Sequence, residues 1–466
     1  MIRKNALNWA VIICWTIVFF FFLTIVTRFL TRQVLVERLG WDNAFTHAVF
    51  LGHEESTAVR PPAKIDWSEQ YPFQGGEGVA KSRDSIAGGD HIRYLNNAAV
   101  IVKSKVRSYT TDMLLGQIAL TEVARTYNRI IGFPLIQADS VIILNNGYLT
   151  YKEELIDDGH IDEIADSVKN FSDFLSGMDI GFVYVNAGSK VCPYDKQLPT
   201  GAIEHSNENG DELLQALTSR NVPVIDLREE MMKAGLDWYD SYYKTDHHFT
   251  SLTGLWAAGV LARYLNDECS FAFDDEVFDP AQYQIDHFEN NMLGSQGRTV
   301  TLANCELDDY DRVLPKFDTF FYLKIPTRDI AEEGSYSEVL FDTEFFDQIA
   351  DYSESDFLTK PGGFGAIKLG NYDLAIIENL ASNHNANKKI LMLEDSFGLY
   401  LTSFLAADVA EIDTIYLGDP GEGQGFNGSV RAYIEQTQPD VVVRLYGEMN
   451  IRPIDWATHD SLFDLR

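Results

Sequence analysis

The chain has 466 residues, 45% hydrophobic and 12% aromatic, with 70 acidic against 37 basic side chains and a formal charge of −33. That apolar content excludes a disordered polymer and suits either one elaborated α/β domain or about two to three smaller ones. The carboxylate excess excludes a nucleic-acid partner, whose phosphates need clustered cations.

From Leu7 to Thr27 there is no charged residue, and Val11 to Val26 is almost continuously apolar. About 20 such residues cross a bilayer as one helix, whereas the apolar core of a cleaved signal peptide is about 7–15 residues long. The expectation is a single-pass anchor at residues 9–27 behind a short cytoplasmic tail, residues 1–8. Arg28, Arg32 and Arg38 follow the span while only Arg3 and Lys4 precede it. The flanking charges therefore do not orient it, and a long external domain is allowed because such domains translocate largely regardless of charge. Residues 28–91 read as a juxtamembrane linker containing Pro61-Pro62 and Gly75-Gly76-Glu77-Gly78, and 92 to about 132 as a packing helix.

Strand signals begin at Ser140. Val141-Ile142-Ile143-Leu144, Asn145-Asn146-Gly147 and Tyr148-Leu149-Thr150-Tyr151 spell a hairpin with an Asn-Gly turn. A helix over 161–176, a strand over 180–185, a helix over 211–219 and a strand over 222–227 follow. This alternation predicts a parallel sheet with helices on both faces. A further helix is predicted over 251–266. Residues 274–378, rich in acids and aromatics, read as an insertion or cap beside the sheet, with a Gly-rich turn at Gly362-Gly363-Phe364-Gly365. Strands are predicted again over 389–393, 412–417 and 440–446, with a helix over 430–436. Among Cys192, Cys269 and Cys305 at most one disulfide can form, and Cys269–Cys305 is the pairing expected; no cysteine, histidine or glycine pattern spells a zinc site, a phosphate loop or a dinucleotide fingerprint, so no metal and no cofactor is expected.

Two stretches carry chemistry. Leu391-Met392-Leu393 runs into Glu394-Asp395-Ser396-Phe397-Gly398 and then into apolar residues at helical spacing. A strand, a sharp turn and a helix expose a serine at the carboxyl end of a sheet, although an Asp-Ser pair before a helix also serves as a plain cap. Asp246-His247-His248, on a loop before the 251–266 helix, supplies the base and the orienting acid that a serine nucleophile needs. The assignment is Ser396 as nucleophile, His248 as general base then acid, and Asp246 as orienting carboxylate. A metal site or a helix cap flanked by surface histidines would use the same residue types.

Tyr242-Tyr243-Lys244-Thr245-Asp246-His247-His248-Phe249-Thr250, followed by Gly254, resembles the signature loop of the DHHW family, with Phe249 in place of the closing Trp. It is also similar to the Asp-x-His-Trp loop of the alginate O-acetylation proteins, which contain an SGNH-hydrolase-like domain. Gly147-Tyr148-Leu149, Phe182-Val183-Tyr184-Val185 with Lys190 following, Leu391 to Phe397 and Pro439-Asp440-Val441-Val442-Val443 extend the likeness over residues 140–450. Glu394 stands where that family tends to have Gly, and the arginine expected after Gly418-Asp419 is absent. The resemblance implies an SGNH-hydrolase-like (flavodoxin-like) α/β domain in a circularly permuted motif order, because the Asp and His precede the Ser. It implies a serine-dependent transfer or hydrolysis of acetyl groups on an extracytoplasmic polysaccharide, a transferase being supplied by a membrane-bound O-acyltransferase. Together with the apolar run at 9–27, the expectation is a single-pass O-acetyltransferase of the cell membrane with an extracytoplasmic catalytic domain. Carried over by position, the triad is Asp246, His248 and Ser396. His247 and Tyr400 are candidates for substrate or oxyanion contact, as is Asn450 beside the backbone amide of Ser396. A carbohydrate acetylesterase would use the same acyl-enzyme. A non-catalytic glycan-binding or scaffold protein would instead use the aromatics Tyr310, Phe317, Phe320, Phe321, Tyr322, Phe345 and Phe346 to line a sugar cleft.

Overall fold

The computed structural model describes residues 135–137 and 141–451, apart from positions 303, 355, 371, 373, 382–383, 417–429 and 448–450. All of them fall in one compact unit, Gly132–Arg466. The expected anchor at 9–27, the linker at 28–91 and the helix expected over 92–132 lie outside the described residues, as does Asn450. Among the described residues no helix is long and apolar enough to cross a membrane.

The described chain opens with three antiparallel strands, β1 (Leu135–Gln137), β2 (Val141–Ile143) and β3 (Leu149–Tyr151). The turn between β2 and β3 is the predicted one. Gly147 takes φ +85°, open to glycine at little cost, and the Asn146 side chain accepts the Tyr148 N–H at 3.2 Å. Then come α1 (Asp158–Ser176), β4 (Gly181–Gly188), α2 (Ser206–Ser219), β5 (Val224–Asp226), α3 (Leu227–Ala234) and α4 (Ser251–Cys269). The middle of the chain forms β6 (Tyr283–Met292), α5 (Ser295–Val300), β7 (Asp308–Pro315), β8 (Phe321–Ile325), β9 (Ile330–Gly334), α6 (Tyr336–Val339), α7 (Thr343–Gln348) and β10 (Ala375–Asn379). The last part supplies β11 (Lys389–Glu394), α8 (Gly398–Leu405), β12 (Glu411–Tyr416), α9 (Val430–Thr437) and β13 (Val441–Gly447).

The main sheet has eight strands in the order β5-β4-β13-β11-β12-β10-β8-β9. The run from β5 to β12 is parallel, as predicted. The other three strands are antiparallel, so the sheet is mixed and the all-parallel expectation is corrected. Those three come from the segment expected to sit beside the sheet as an insertion or cap. Only part of it does so, as the β6–β7 ribbon. The edge strand β9 explains why the extension was hard to read. It is exposed at Ala331, Glu332 and Glu333, and charge on an edge both hides the period-two pattern and guards against sheet-to-sheet association.

Side chains alternate across the central strands, which are apolar on both sides because both faces are covered. Val183, Val185, Ile390, Met392, Val441 and Val443 point into one core with Leu255 and Leu261 of α4 and Phe404 of α8. Phe182, Tyr184, Leu391, Leu393 and Val442 point into the other, with Val168 of α1, Leu217 of α2 and Ile434 of α9. The crossing of α4 and α8 depends on Gly254, where a Cβ would lie 2.4 Å from Tyr400 Cβ.

The Cys269–Cys305 disulfide does not form. Both are free thiols: Cys269 packs on Gly181 at the start of β4, while Cys305 Sγ bonds the Thr301 carbonyl at 3.4 Å beside α5.

Candidate active site

β11 ends at Glu394, and the chain turns sharply before α8. Asp395, not Ser396, holds that turn. Its carboxylate accepts the Phe397 N–H at 2.9 Å and the Gly447 N–H at 2.8 Å, and its own N–H donates to Leu445 O at 3.2 Å. The turn is thus pinned to the end of the neighbouring β13, and the Ser396 hydroxyl is left for other work. Glu394 lies fully buried beneath, its carboxyl 2.6 Å from the Thr402 hydroxyl. Burial pushes it up to about 8, further raised by the Asp395 charge and opposed by the Thr402 hydrogen bond. A folded value above the ordinary one means stabilisation that is full below about 4.5 and lost progressively as pH rises through 8. Glu394→Gln is accordingly expected to flatten the decline of urea-unfolding stability between pH 5 and 8, by on the order of 3 kcal/mol. An unchanged slope would contradict the assignment of a neutral acid under the turn.

The acid–base loop is closed on itself. Tyr242 bridges Phe249, Tyr243 N–H donates to His248 O at 3.1 Å, and Thr250 N–H donates to Ser241 O at 2.9 Å. Thr250 caps α4, which frees Asp246 from that duty. Asp246 Oδ1 accepts His248 Nδ1 at 2.6 Å and Oδ2 accepts the Ser295 N–H, at the start of α5, at 2.7 Å. His248 Nε2 then lies 2.7 Å from Ser396 Oγ, across 148 residues of sequence. Serine, imidazole and carboxylate form one continuous hydrogen-bonded relay.

The carboxyl of Asp246 is held well below the usual carboxylate range. Burial pushes it up, but the adjacent His247 and His248 and the bonds from His248 and Ser295 outweigh that. Asp246, His247 and His248 could in principle face one ion, since one ligand atom from each lies within 4.8 Å of the others. Two of the three are already committed, Asp246 and His248 to each other and His248 to Ser396, so this donor set does not fit a metal site.

Phe364, in the Gly-rich turn flagged in the sequence, stacks on His248 with ring centroids 4.5 Å apart and planes 20° apart. Phe249 packs edge-on to Phe397. Phe364 and Phe397, from distant segments, both pack on the His248 ring. Gly294 approaches the acid–base loop closely, for a Cβ there would lie 2.3 Å from Asp246 Cβ and 2.5 Å from Thr245 O. Gly294→Ala is expected to cost at least about 2 kcal/mol of stability, read by urea denaturation. It should also displace Asp246, so an alanine variant with wild-type stability and activity would refute that packing.

The remaining candidates separate. His247 stays at the site, its ring 3.8 Å from His248 and its Nδ1 3.3 Å from Ser295 Oγ. Tyr400 does not. Its hydroxyl turns into the core, 3.0 Å from the Tyr243 hydroxyl and 2.8 Å from that of Tyr310, because α8 directs this side chain at α4 and β7. Of the aromatics proposed to line a sugar cleft, Tyr310, Phe321 and Phe346 are core residues, while Phe320 is exposed. Sequence reasoning missed Ser295, Phe364 and Asp308, the last accepting the N–H groups of Lys244 and Thr245 at 2.8 and 2.7 Å. Only the glycines around Phe364 signalled any of them.

Residues 145–291 match the family model described as the SGNH hydrolase-like domain of the acetyltransferase AlgX. The matched stretch holds Asp246, His247 and His248 and ends before Ser396. The resemblance drawn from the acid–base loop is therefore shared by that family model. No curated protein sequence matches the chain. Among solved structures, Bacillus cereus PatB1 with a sulfonyl adduct is similar at a TM-score of 0.55 and 17% identity, covering 69% of this chain and 99% of that one. A second structure of the same protein gives 0.52 and 18%, covering 68% and 99%. A DHHW family protein from Eubacterium siraeum gives 0.49 and 14%, covering 70% and 96%. At such identities the PatB1 likeness speaks for the fold alone; it is the family-model match that makes this mixed-sheet α/β fold SGNH-hydrolase-like.

Proposed function

We propose that this chain is a serine O-acetyltransferase acting on an extracytoplasmic polysaccharide through an acetyl-serine intermediate. The observation that carries the reading is the unbroken relay from Asp246 through His248 to Ser396 at 2.6 and 2.7 Å. His248 Nε2 takes the proton of Ser396 Oγ as the oxygen attacks the acetyl carbonyl, and returns it to the departing group. The ionised Asp246 holds Nδ1–H toward itself, keeping Nε2 free to accept, and stabilises the imidazolium. The backbone N–H of Ser396 would meet the developing oxyanion, with Asn450 as a second donor. In the second half-reaction His248 deprotonates a sugar hydroxyl, which attacks the acetyl carbonyl; the Ser396 Oγ–acetyl bond breaks, and Ser396 Oγ takes the proton back from His248.

The acid–base loop preceding the serine supports the permuted motif order. The apolar run at 9–27 supports an anchor that would hold the domain at the outer face of the cell membrane, where a membrane-bound O-acyltransferase would supply the acetyl group. Ser396 is partly exposed, so water can also resolve the acyl-enzyme, and a carbohydrate acetylesterase is the second reading. The test uses purified full-length protein with p-nitrophenyl acetate. Expected are release of p-nitrophenol and an acetyl group on the peptide containing Ser396, transferred to an added oligosaccharide. Release with no transfer selects the esterase; no release and no adduct above an uncatalysed control sinks both readings.

A further inference from the structure

Lys190 is, among the described residues, the only buried lysine. It follows β4 by two residues, and its Nζ donates to Lys244 O at 3.1 Å and to Gln296 Oε1 at 2.9 Å, 5.9 Å from the centre of the Tyr148 ring. Lys244 stands two residues before Asp246. Gln296 follows Ser295, whose N–H holds the second oxygen of Asp246. The backbone of Lys190 is fixed as well, its carbonyl accepting Trp238 Nε1–H at 3.1 Å. One ammonium thus ties the end of β4, the acid–base loop and α5 together.

We propose that Lys190 is a positioning residue for this site: its buried ammonium, bonded to Lys244 O and Gln296 Oε1, fixes the loop that carries Asp246 and His248 against α5, so that acid and base meet Ser396 in register. The inference rests on His248 being the general base. Removing an ammonium from water costs several kcal/mol, and a methionine would fill the same space without that cost, so a lysine here calls for a return from its charge. The carboxylates that face it are Asp246 and Asp308; Glu153, Glu204 and His247 share a small crevice with it beside Phe397. His248 itself faces Asp246, His247 and Ser396. In so dry a site charge-assisted bonds to Lys244 O and Gln296 Oε1 hold more strongly than neutral ones. Burial pushes Lys190 down to about 7, while Asp308 and Asp246 pull it back up.

The test measures kcat and KM for p-nitrophenyl acetate and, in full-length protein carrying carbon-13 histidine, the His248 ring signal by NMR, assigned by its loss in His248→Gln. Lys190→Met and Lys190→Gln are expected to lower kcat by about 10–100-fold with KM little changed, and to move the His248 signal. Lys190→Arg, which keeps the cation and its donors, should restore both toward the wild-type values. Folded neutral variants with wild-type kcat and an unmoved His248 signal would overturn the inference. Failure of both neutral variants to fold, while Lys190→Arg folds, would overturn it too, by assigning the ammonium to the fold alone. The NMR readout needs no turnover. A protein inactive on p-nitrophenyl acetate whose His248 still answers to Lys190 would sink the proposed function and leave this inference standing.

Discussion

Ser396→Ala is expected to lower kcat/KM for p-nitrophenyl acetate by at least roughly 10⁴-fold, down to the residual that binding and oxyanion contacts alone provide. The cause is local. Ser396 Oγ is the atom 2.7 Å from His248 Nε2, and no other hydroxyl is bonded to that nitrogen among the described residues. The substitution should spare the fold, because the turn is held by Asp395 through Phe397 and Gly447 and not by the serine. His248→Ala should cause a loss of similar size, and the double variant little more, since groups acting as one relay are strongly non-additive. Thermal unfolding of each variant beside the rate measurement separates chemistry from stability. Persistent hydrolysis in Ser396→Ala with an intact fold would remove the serine from the mechanism.

Asp246→Asn is expected to cost about 10³–10⁴-fold in kcat, with KM little changed. Every bond the carboxylate makes is one it accepts: Nδ1 and N–H of His248 on one oxygen, and the Ser295 N–H on the other. An asparagine has one accepting oxygen and must place its NH2 on the other side. Toward Ser295 it sets donor against donor inside the protein, costing about 1–3 kcal/mol of stability. Toward His248 it makes Nδ1 the acceptor, so Nε2 carries the hydrogen and cannot take the serine proton. Because Asp246 sits well below the usual carboxylate range, it stays ionised wherever the imidazole titrates. The acid limb of the wild-type profile should therefore not report Asp246. An asparagine variant with wild-type kcat and the same limb would show that the charge at 246 is dispensable.

The outline of the sheet was open to reading because its central strands are covered on both faces. A strand buried twice must be apolar at nearly every position, and Ile390 to Leu393 and Val441 to Val443 are. The Asn146-Gly147 turn was equally plain, since few residue pairs accept its backbone. The antiparallel strands β8, β9 and β10 were not, because strand order depends on which distant edge is free to pair. Local composition does not carry that information, and the exposed Glu332 and Glu333 disguised the strand that contains them.

The candidate site divides along the same line. Asp246-His247-His248 and the Asp395-Ser396 turn are each short enough to be recognised by their chemistry, and the loop's own closure from Tyr242 to Phe249 fixes how acid and base meet. Whether that base reaches that serine, 148 residues away, is a matter of strand order and of how closely α4 and α8 approach at Gly254. So is the company they keep. Phe364 lies on the imidazole, Ser295 holds the carboxylate and Lys190 stands beneath the loop, while Tyr400, close to the serine in sequence, is turned away into the core. Residue type and local spacing settle which groups can do chemistry. Burial, register and the crossing of helices settle which of them touch, because those depend on contacts made between parts of the chain that are far apart in sequence.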